Sequence, residues 1–105
     1  MPKAHPLFLE IAALLRELAR DPETVWSYYA HAEEEMSKAI PVLDHNDAVF
    51  VLQNGKITGG ETQGELWARR YRIEDISDGG HVAFVVSFSV EEKLIEIITA
   101  FRLNE

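Results

Sequence analysis

The spacing of the apolar residues changes once along this chain, and that change restricts the possible folds more than any other feature. Up to about residue 53 apolar residues recur at helical spacing, as they do over 7–18. From Lys56 onward they alternate with other residues, most clearly over 82–90. Helices followed by strands are typical of the α+β class. The sequence therefore predicts two to three N-terminal helices packed on a three- to four-stranded antiparallel sheet.

Three segments of the first half carry helical signals. The first is an amphipathic helix of about four turns over 7–18. A second helix is predicted for 31–39, and a third for about 45–53, where Asp44 is a good N-cap. Residues 23–30 remain open between a helix and an extended segment, because β-forming residues there coincide with helical spacing of the apolar positions.

Four segments of the second half are predicted strands. They cover 56–58, 66–76, 82–90 and 94–102. The sequence Asp78-Gly79-Gly80 between two of them is a strong turn signal, and tight turns make neighbouring strands antiparallel.

Length and composition indicate one ordinary globular domain over 1–105. Apolar residues make up 47% of the chain and charged residues 27%, with no cysteine. We recognise no signal peptide and no apolar run near the roughly 20 residues of a membrane helix, so a cytoplasmic protein without membrane association is expected. The net charge of −8 repels nucleic acid, so an RNA function requires a local basic patch.

The most suggestive chemical pattern is the stretch Trp67-Ala68-Arg69-Arg70-Tyr71-Arg72, in which three arginines lie beside two aromatic residues. If this stretch is a strand, Arg70 and Arg72 share one face, and Arg69 and Tyr71 share the other. Arginine beside an aromatic ring can hold phosphate and support base stacking. Arg102 could join the cluster if the last strand lies beside this one. The alternative is a solvated row of arginines whose stems cover apolar surface.

The histidines give weaker signals. His31 and Glu35 are four residues apart on a predicted helix, but two ligands are too few for a metal site, so no metal or cofactor is predicted. His31 could act as a general base, since its unperturbed pKa near 6.5 suits that role. More often, such a histidine caps a helix or packs at its start. We interpret His81, His45 and His5 as structural or incidental.

Several short motifs also occur in a familiar order between about Leu7 and Arg102. They are His31-Ala32 with Met36, Asp47-Ala48-Val49 to Leu52, Asn54-Gly55-Lys56, Trp67, Tyr71-Arg72 before a double glycine, and Ile97-Ile98-Thr99-Ala100-Phe101. In this order and spacing the chain resembles the DUF4258 family of small bacterial proteins. That family is similar in layout to the RelE/ParE-type toxins, with the MqsR-like toxins as near neighbours.

The resemblance implies a RelE/ParE-like fold and metal-independent RNA cleavage within a bacterial toxin–antitoxin system. Such cleavage needs a base for the ribose 2′-hydroxyl and cations for the phosphate. The implied catalytic residues are His31, Arg70 and Tyr71, and the implied RNA phosphate-binding residues are Arg69, Arg72 and Arg102. The implied partners are RNA or the ribosome and a cognate antitoxin. The alternative is a non-catalytic protein-interaction module, homodimeric or bound to another protein, that retains this fold.

Overall fold

The computed structural model describes residues 6–60, 70–77 and 80–103, and this part of the chain contains three helices and five strands. In chain order they are α1 (Pro6–Arg20), β1 (Val25–Tyr28), α2 (Ala30–Lys38), α3 (His45–Asn54), β2 (Lys56–Gly60), β3 (Tyr71–Ser77), β4 (Gly80–Ser89) and β5 (Leu94–Arg102). The predicted α+β class is confirmed, and so are all three predicted helices. None of the described helices is both long and apolar enough to cross a membrane.

Helix α3 shows how local chemistry fixes an element in this chain. The Asp44 side chain accepts a hydrogen bond from the Asp47 amide, and the Asp47 side chain accepts one from the Asp44 amide. This reciprocal pair satisfies two amides that have no partner within the helix. The helix ends at Asn54 and is capped by Gly55, where an added Cβ would lie 2.6 Å from the Val51 carbonyl oxygen and 2.8 Å from that of Glu74. Glycine at this position therefore lets α3 run directly into the sheet.

Within residues 23–30, which the sequence left open, Val25–Tyr28 form the extended strand β1, and Ala30 begins α2. The Asp21 side chain accepts a hydrogen bond from the Glu23 amide at 2.9 Å, in a turn that follows α1. Trp26 and Tyr28 then pack against the hydrophobic core. The Val25 amide donates to the Lys93 carbonyl at 2.8 Å, so the backbone of β1 is bound to the distant end of the chain.

The strand order in the sheet is β1-β5-β4-β3-β2. Strand β1 pairs in parallel with β5, and every other neighbouring pair is antiparallel. The sheet is thus five-stranded and mixed, one strand larger than the predicted upper bound of four antiparallel strands. The predicted strand over 66–76 is observed from Tyr71 onward, and its first part, residues 66–69, lies outside the described residues, as do residues 78–79 of the predicted turn.

The two faces of this sheet have different surroundings. One face, here called the covered face, packs with the helices into one hydrophobic core. Its largest side chains in β3, β4 and β5 are Tyr71, Ile73, Val82, Phe84, Val86, Phe88, Ile95 and Ile97. The alternate residues project from the opposite face, here called the open face, which includes Arg72, Glu74, His81, Val85 and Phe101. No described helix packs against the open face.

Candidate functional site

A carboxylate of β3 on the open face collects three polar partners. Glu74 Oε1 lies 3.0 Å from His81 Nε2, and Glu74 Oε2 lies 2.8 Å from Arg72 Nε. The Thr58 hydroxyl donates a hydrogen bond to the same Oε2. The Glu74 side chain is only 13% exposed, whereas that of His81 is 43% exposed. The result is a shielded carboxylate that holds an accessible imidazole and an accessible guanidinium.

The register of the sheet brings these four side chains together. Arg72 and Glu74 are two residues apart on β3, so both project from the open face. Ile76 pairs with His81 across the β3–β4 hairpin, which places His81 diagonally next to Glu74. Thr58 lies where the register of β2 against β3 shifts between Ile57 and Gly59. Such an irregularity re-aims a side chain, and here the Thr58 hydroxyl reaches the carboxylate.

The environment of Glu74 keeps this carboxyl group ionised. Burial raises the pKa of Glu74, but the Thr58 hydrogen bond and the charges of Arg72 and His81 outweigh it and hold the pKa below its ordinary value. An ionised carboxylate only accepts hydrogen bonds, so in neutral His81 the proton sits on Nε2, facing Glu74. The other ring nitrogen, Nδ1, has no hydrogen-bond partner in the described ranges and carries the lone pair. Glu74 thus orients His81 as a proton acceptor, as an acidic residue does for histidine in many enzymes.

A cation and an aromatic ring lie beside this pair. The Arg72 guanidinium carbon is 5.1 Å from the centroid of the Phe101 ring. Phe101 is on β5, and the small residue Ala83 pairs with it on the intervening strand β4. Because Ala83 has only a methyl group, Arg72 and Phe101 can meet above it. A guanidinium held between a ring and a carboxylate is well placed to meet an anion such as phosphate.

Those of the predicted residues that the structure describes do not form one site. Tyr71 is fully buried, with 0% exposure, and packs against Phe88 at a ring-centroid distance of 6.0 Å. It therefore contributes to the core and lies on the opposite side of β3 from Arg72. His31 is exposed on α2, a helix of the covered face. Arg70 is exposed and immediately precedes β3. Arg69 lies outside the described residues.

Arg102 does not join the other arginines. Strand β5 lies between β4 and β1, not beside β3, and Arg102 pairs with Val82 on the covered face. Its Nε donates to the Pro41 carbonyl at 2.8 Å, in the connection between α2 and α3. Its Nη1 is buried without a hydrogen-bond partner in the described structure. Arg72 and Arg102 are therefore on opposite faces of the sheet.

Sequence reasoning missed the functional potential of Glu74, His81 and Thr58. One signal was present: Glu74 and His81 flank a tight turn at positions that a hairpin places diagonally on one face. Thr58 had no such signal, because its position depends on an irregularity in the strand pairing. Across the residues that the structure describes, no group of three or more histidine and carboxylate side chains is arranged to hold a metal ion.

Comparison with known proteins adds no relative. No family model, no curated protein and no solved structure matches this chain. The resemblance to the DUF4258 family and to the RelE/ParE-type toxins thus stays a prediction from the motifs.

Proposed function

We propose that this protein binds RNA on the open face of its sheet and cleaves it without a metal ion. The observation that carries the proposal is the placement of His81, Glu74 and Arg72 in one connected cluster. These three supply a base, the carboxylate that orients it and a phosphate-binding cation. The motif resemblance to toxin-related proteins supports the same activity, with a cytoplasmic location and an antitoxin partner as further parts of the proposal.

The side chains of the cluster supply the groups that the reaction needs. His81 Nδ1 takes the proton from a ribose 2′-hydroxyl, and the 2′-oxygen attacks the adjacent phosphorus. The new bond joins phosphorus to the 2′-oxygen, and the bond to the 5′-oxygen of the next nucleotide breaks. That oxygen takes a proton from solvent, which leaves a 2′,3′-cyclic phosphate and a 5′-hydroxyl. Arg72 stabilises the charge that builds on the phosphate oxygens.

Cleavage of a mixed-sequence RNA by the purified protein in EDTA tests the proposal. We expect His81→Ala to lower the cleavage rate by at least about 100-fold, the usual contribution of a positioned base. Arg72→Ala should also lower it, and both variants should unfold at temperatures close to the wild type. A His31→Ala variant separates the two histidine assignments. If cleavage depends on His31 and not on His81, the active residue is the one implied by the resemblance, and the open-face mechanism is wrong.

A non-catalytic interaction module is the second candidate, and one observation favours it. Arg72 is already paired with Glu74 and placed over Phe101, in a chain with a net charge of −8. An arginine used in this way can serve a protein interface as well as RNA. If the folded protein cleaves neither free RNA nor messenger RNA on ribosomes, this candidate replaces the first. Light scattering would then show whether the protein is a homodimer.

A further inference from the structure

A pocket of about 260 Å³ lies on the helical side of the molecule, away from the open face. Met36, Val42 and Leu43 form its apolar lining, and Tyr28, Glu33 and His45 bring polar atoms to it. Strand β1, helix α2 and the start of α3 thus each contribute to the lining. None of these residues belongs to the Glu74 cluster, so the pocket is independent of the proposed function.

The polar part of the pocket is held in place by its own contacts. The Tyr28 hydroxyl and His45 Nδ1 are 2.5 Å apart. The His45 ring also meets the Trp26 ring edge-on, with 4.9 Å between the centroids. Burial, followed by the negative charge of Asp44, raises the pKa of Tyr28 to about 12. The phenol is therefore neutral at physiological pH, and its oxygen can accept a hydrogen bond from a ligand.

The charged groups that line the pocket or act on its lining residues directly are carboxylates. Glu33 is a lining residue, and Asp44 is close enough to act on Tyr28. The described lining contains no lysine or arginine. A negative, partly aromatic environment favours a cation, which carboxylates attract and ring faces also stabilise. An anionic ligand would meet repulsion from the same groups.

The apolar part favours an aliphatic body for that ligand. Met36 and Leu43 are buried, whereas Val42 is 61% exposed, and the neighbouring Ile40 is 89% exposed. A hydrocarbon chain laid against Val42 would remove apolar surface from water. The volume is slightly below the roughly 300 Å³ at which typical ligand pockets begin, so the ligand is small.

We propose that this pocket binds a small aliphatic amine in its ammonium form. The ammonium group lies near the Glu33 carboxylate and the Tyr28 hydroxyl, and the alkyl chain packs against Met36, Val42 and Leu43. The proposed ligand is a free small molecule, because the volume of about 260 Å³ is below that of typical ligand pockets.

Titration of the full chain with hexylamine, followed by amide chemical shifts in NMR spectra, tests this site. Shifts should cluster at Tyr28, Glu33, Met36 and Leu43. Hexanol and hexanoate, which keep the chain without the positive charge, should bind at least about fivefold more weakly, the effect of roughly one kcal/mol of screened ion pairing. Glu33→Gln should weaken hexylamine binding by a similar factor. Glu35→Gln, which removes the same charge from α2 outside the lining, should leave the affinity unchanged.

Two results would overturn the proposal. Hexanol binding as tightly as hexylamine, or a Glu33→Gln variant with wild-type affinity, would show an apolar pocket without selectivity for cations. If Nα-acetyl-lysine amide, which keeps the side-chain ammonium group, binds as tightly as hexylamine or more tightly, the pocket is assigned to a lysine side chain of a partner protein and not to a free amine. Hexylamine binding that is weakened about fivefold in Glu33→Gln and is stronger than that of Nα-acetyl-lysine amide supports the site as proposed.

Discussion

The two faces of the sheet share the same strands but have different physical roles. On the covered face, Tyr71, Ile73 and Phe84 are at most 1% exposed and belong to one hydrophobic core. On the open face, Arg72 and Glu74 alternate with those residues and form an ion pair. Because successive side chains of a strand point to opposite faces, one short segment supplies both stability and chemistry.

This division explains why Tyr71 is buried in the core whereas its neighbour Arg72 is partly exposed on the open face. A shift of one residue in the pairing of β3 with β4 would exchange their faces. The register is fixed because Tyr71 pairs with Val86 and Ile73 with Phe84, all four on the covered face. The polar cluster is thus positioned by apolar residues that never touch it, and the comparison predicts different costs for mutations on the two faces.

The largest expected difference is between Phe84→Ala and Phe101→Ala. Phe84 has 0% exposure in the core, so its truncation should lower the free energy of unfolding by about 3–5 kcal/mol. Phe101 is partly exposed under Arg72, and its truncation should cost less than about 2 kcal/mol, through partial burial and a cation–π contact. Urea denaturation of both variants measures the difference. Equal losses would mean that the open face is buried as deeply as the covered one.

A smaller effect separates two glycines, one just before β2 and the other near its end. In Gly55→Ala, the new Cβ would lie 2.6 Å and 2.8 Å from two backbone oxygens, which cannot move without displacing α3 or β3. We expect a loss of about 1–3 kcal/mol in the free energy of unfolding, as for other overpacked sites. Gly59→Ala is the control, since its Cβ would be 3.8 Å from the nearest atom, the Arg72 Cβ. A Gly55→Ala variant as stable as Gly59→Ala would contradict the close packing at the end of α3.

Local signals predicted most of the fold and missed the part that depends on distant pairing. The Asp44–Asp47 cap and the alternation over 82–90 are contained in short stretches, and the corresponding elements are observed. Strand β1 was left open because nothing near Val25 in the sequence indicates that it pairs with Leu94. Its backbone partner is at the other end of the chain, so tertiary pairing decided between helix and strand.

The candidate site was harder to predict for the same reason. The sequence places arginines and histidines along the chain, but only the strand order shows that Arg102 and Arg72 are on opposite faces. The alternation of side chains along a strand was enough to place Arg72 and Tyr71 on opposite faces, and the structure agrees with that prediction. The role of Glu74 required three contacts from β2, β3 and β4 at once, which no local pattern encodes.

The smallest expected effect tests the electrostatics of the open face. The pKa of Glu74 is lowered in the folded state, so its contribution to stability is complete above the unfolded value near 4.5 and is lost as pH falls through the folded value. Glu74→Gln removes this contribution and should lower the free energy of unfolding at neutral pH by about 1 kcal/mol. The loss should be smaller at a pH well below 4.5, where Glu74 of the wild type is increasingly protonated and therefore neutral like the glutamine of the variant.

Urea denaturation at the two pH values measures the change, and Glu91→Gln is the matched control. Glu91 is exposed and makes no ion pair in the described part of the chain. Its substitution should therefore not alter the change in the free energy of unfolding between the two pH values. If Glu74→Gln also leaves this change in the free energy of unfolding unaltered, the Arg72 and His81 contacts contribute nothing to stability. The cluster would then be held only by the covered face beneath it, and the polar groups of the open face would be free to rearrange around a ligand.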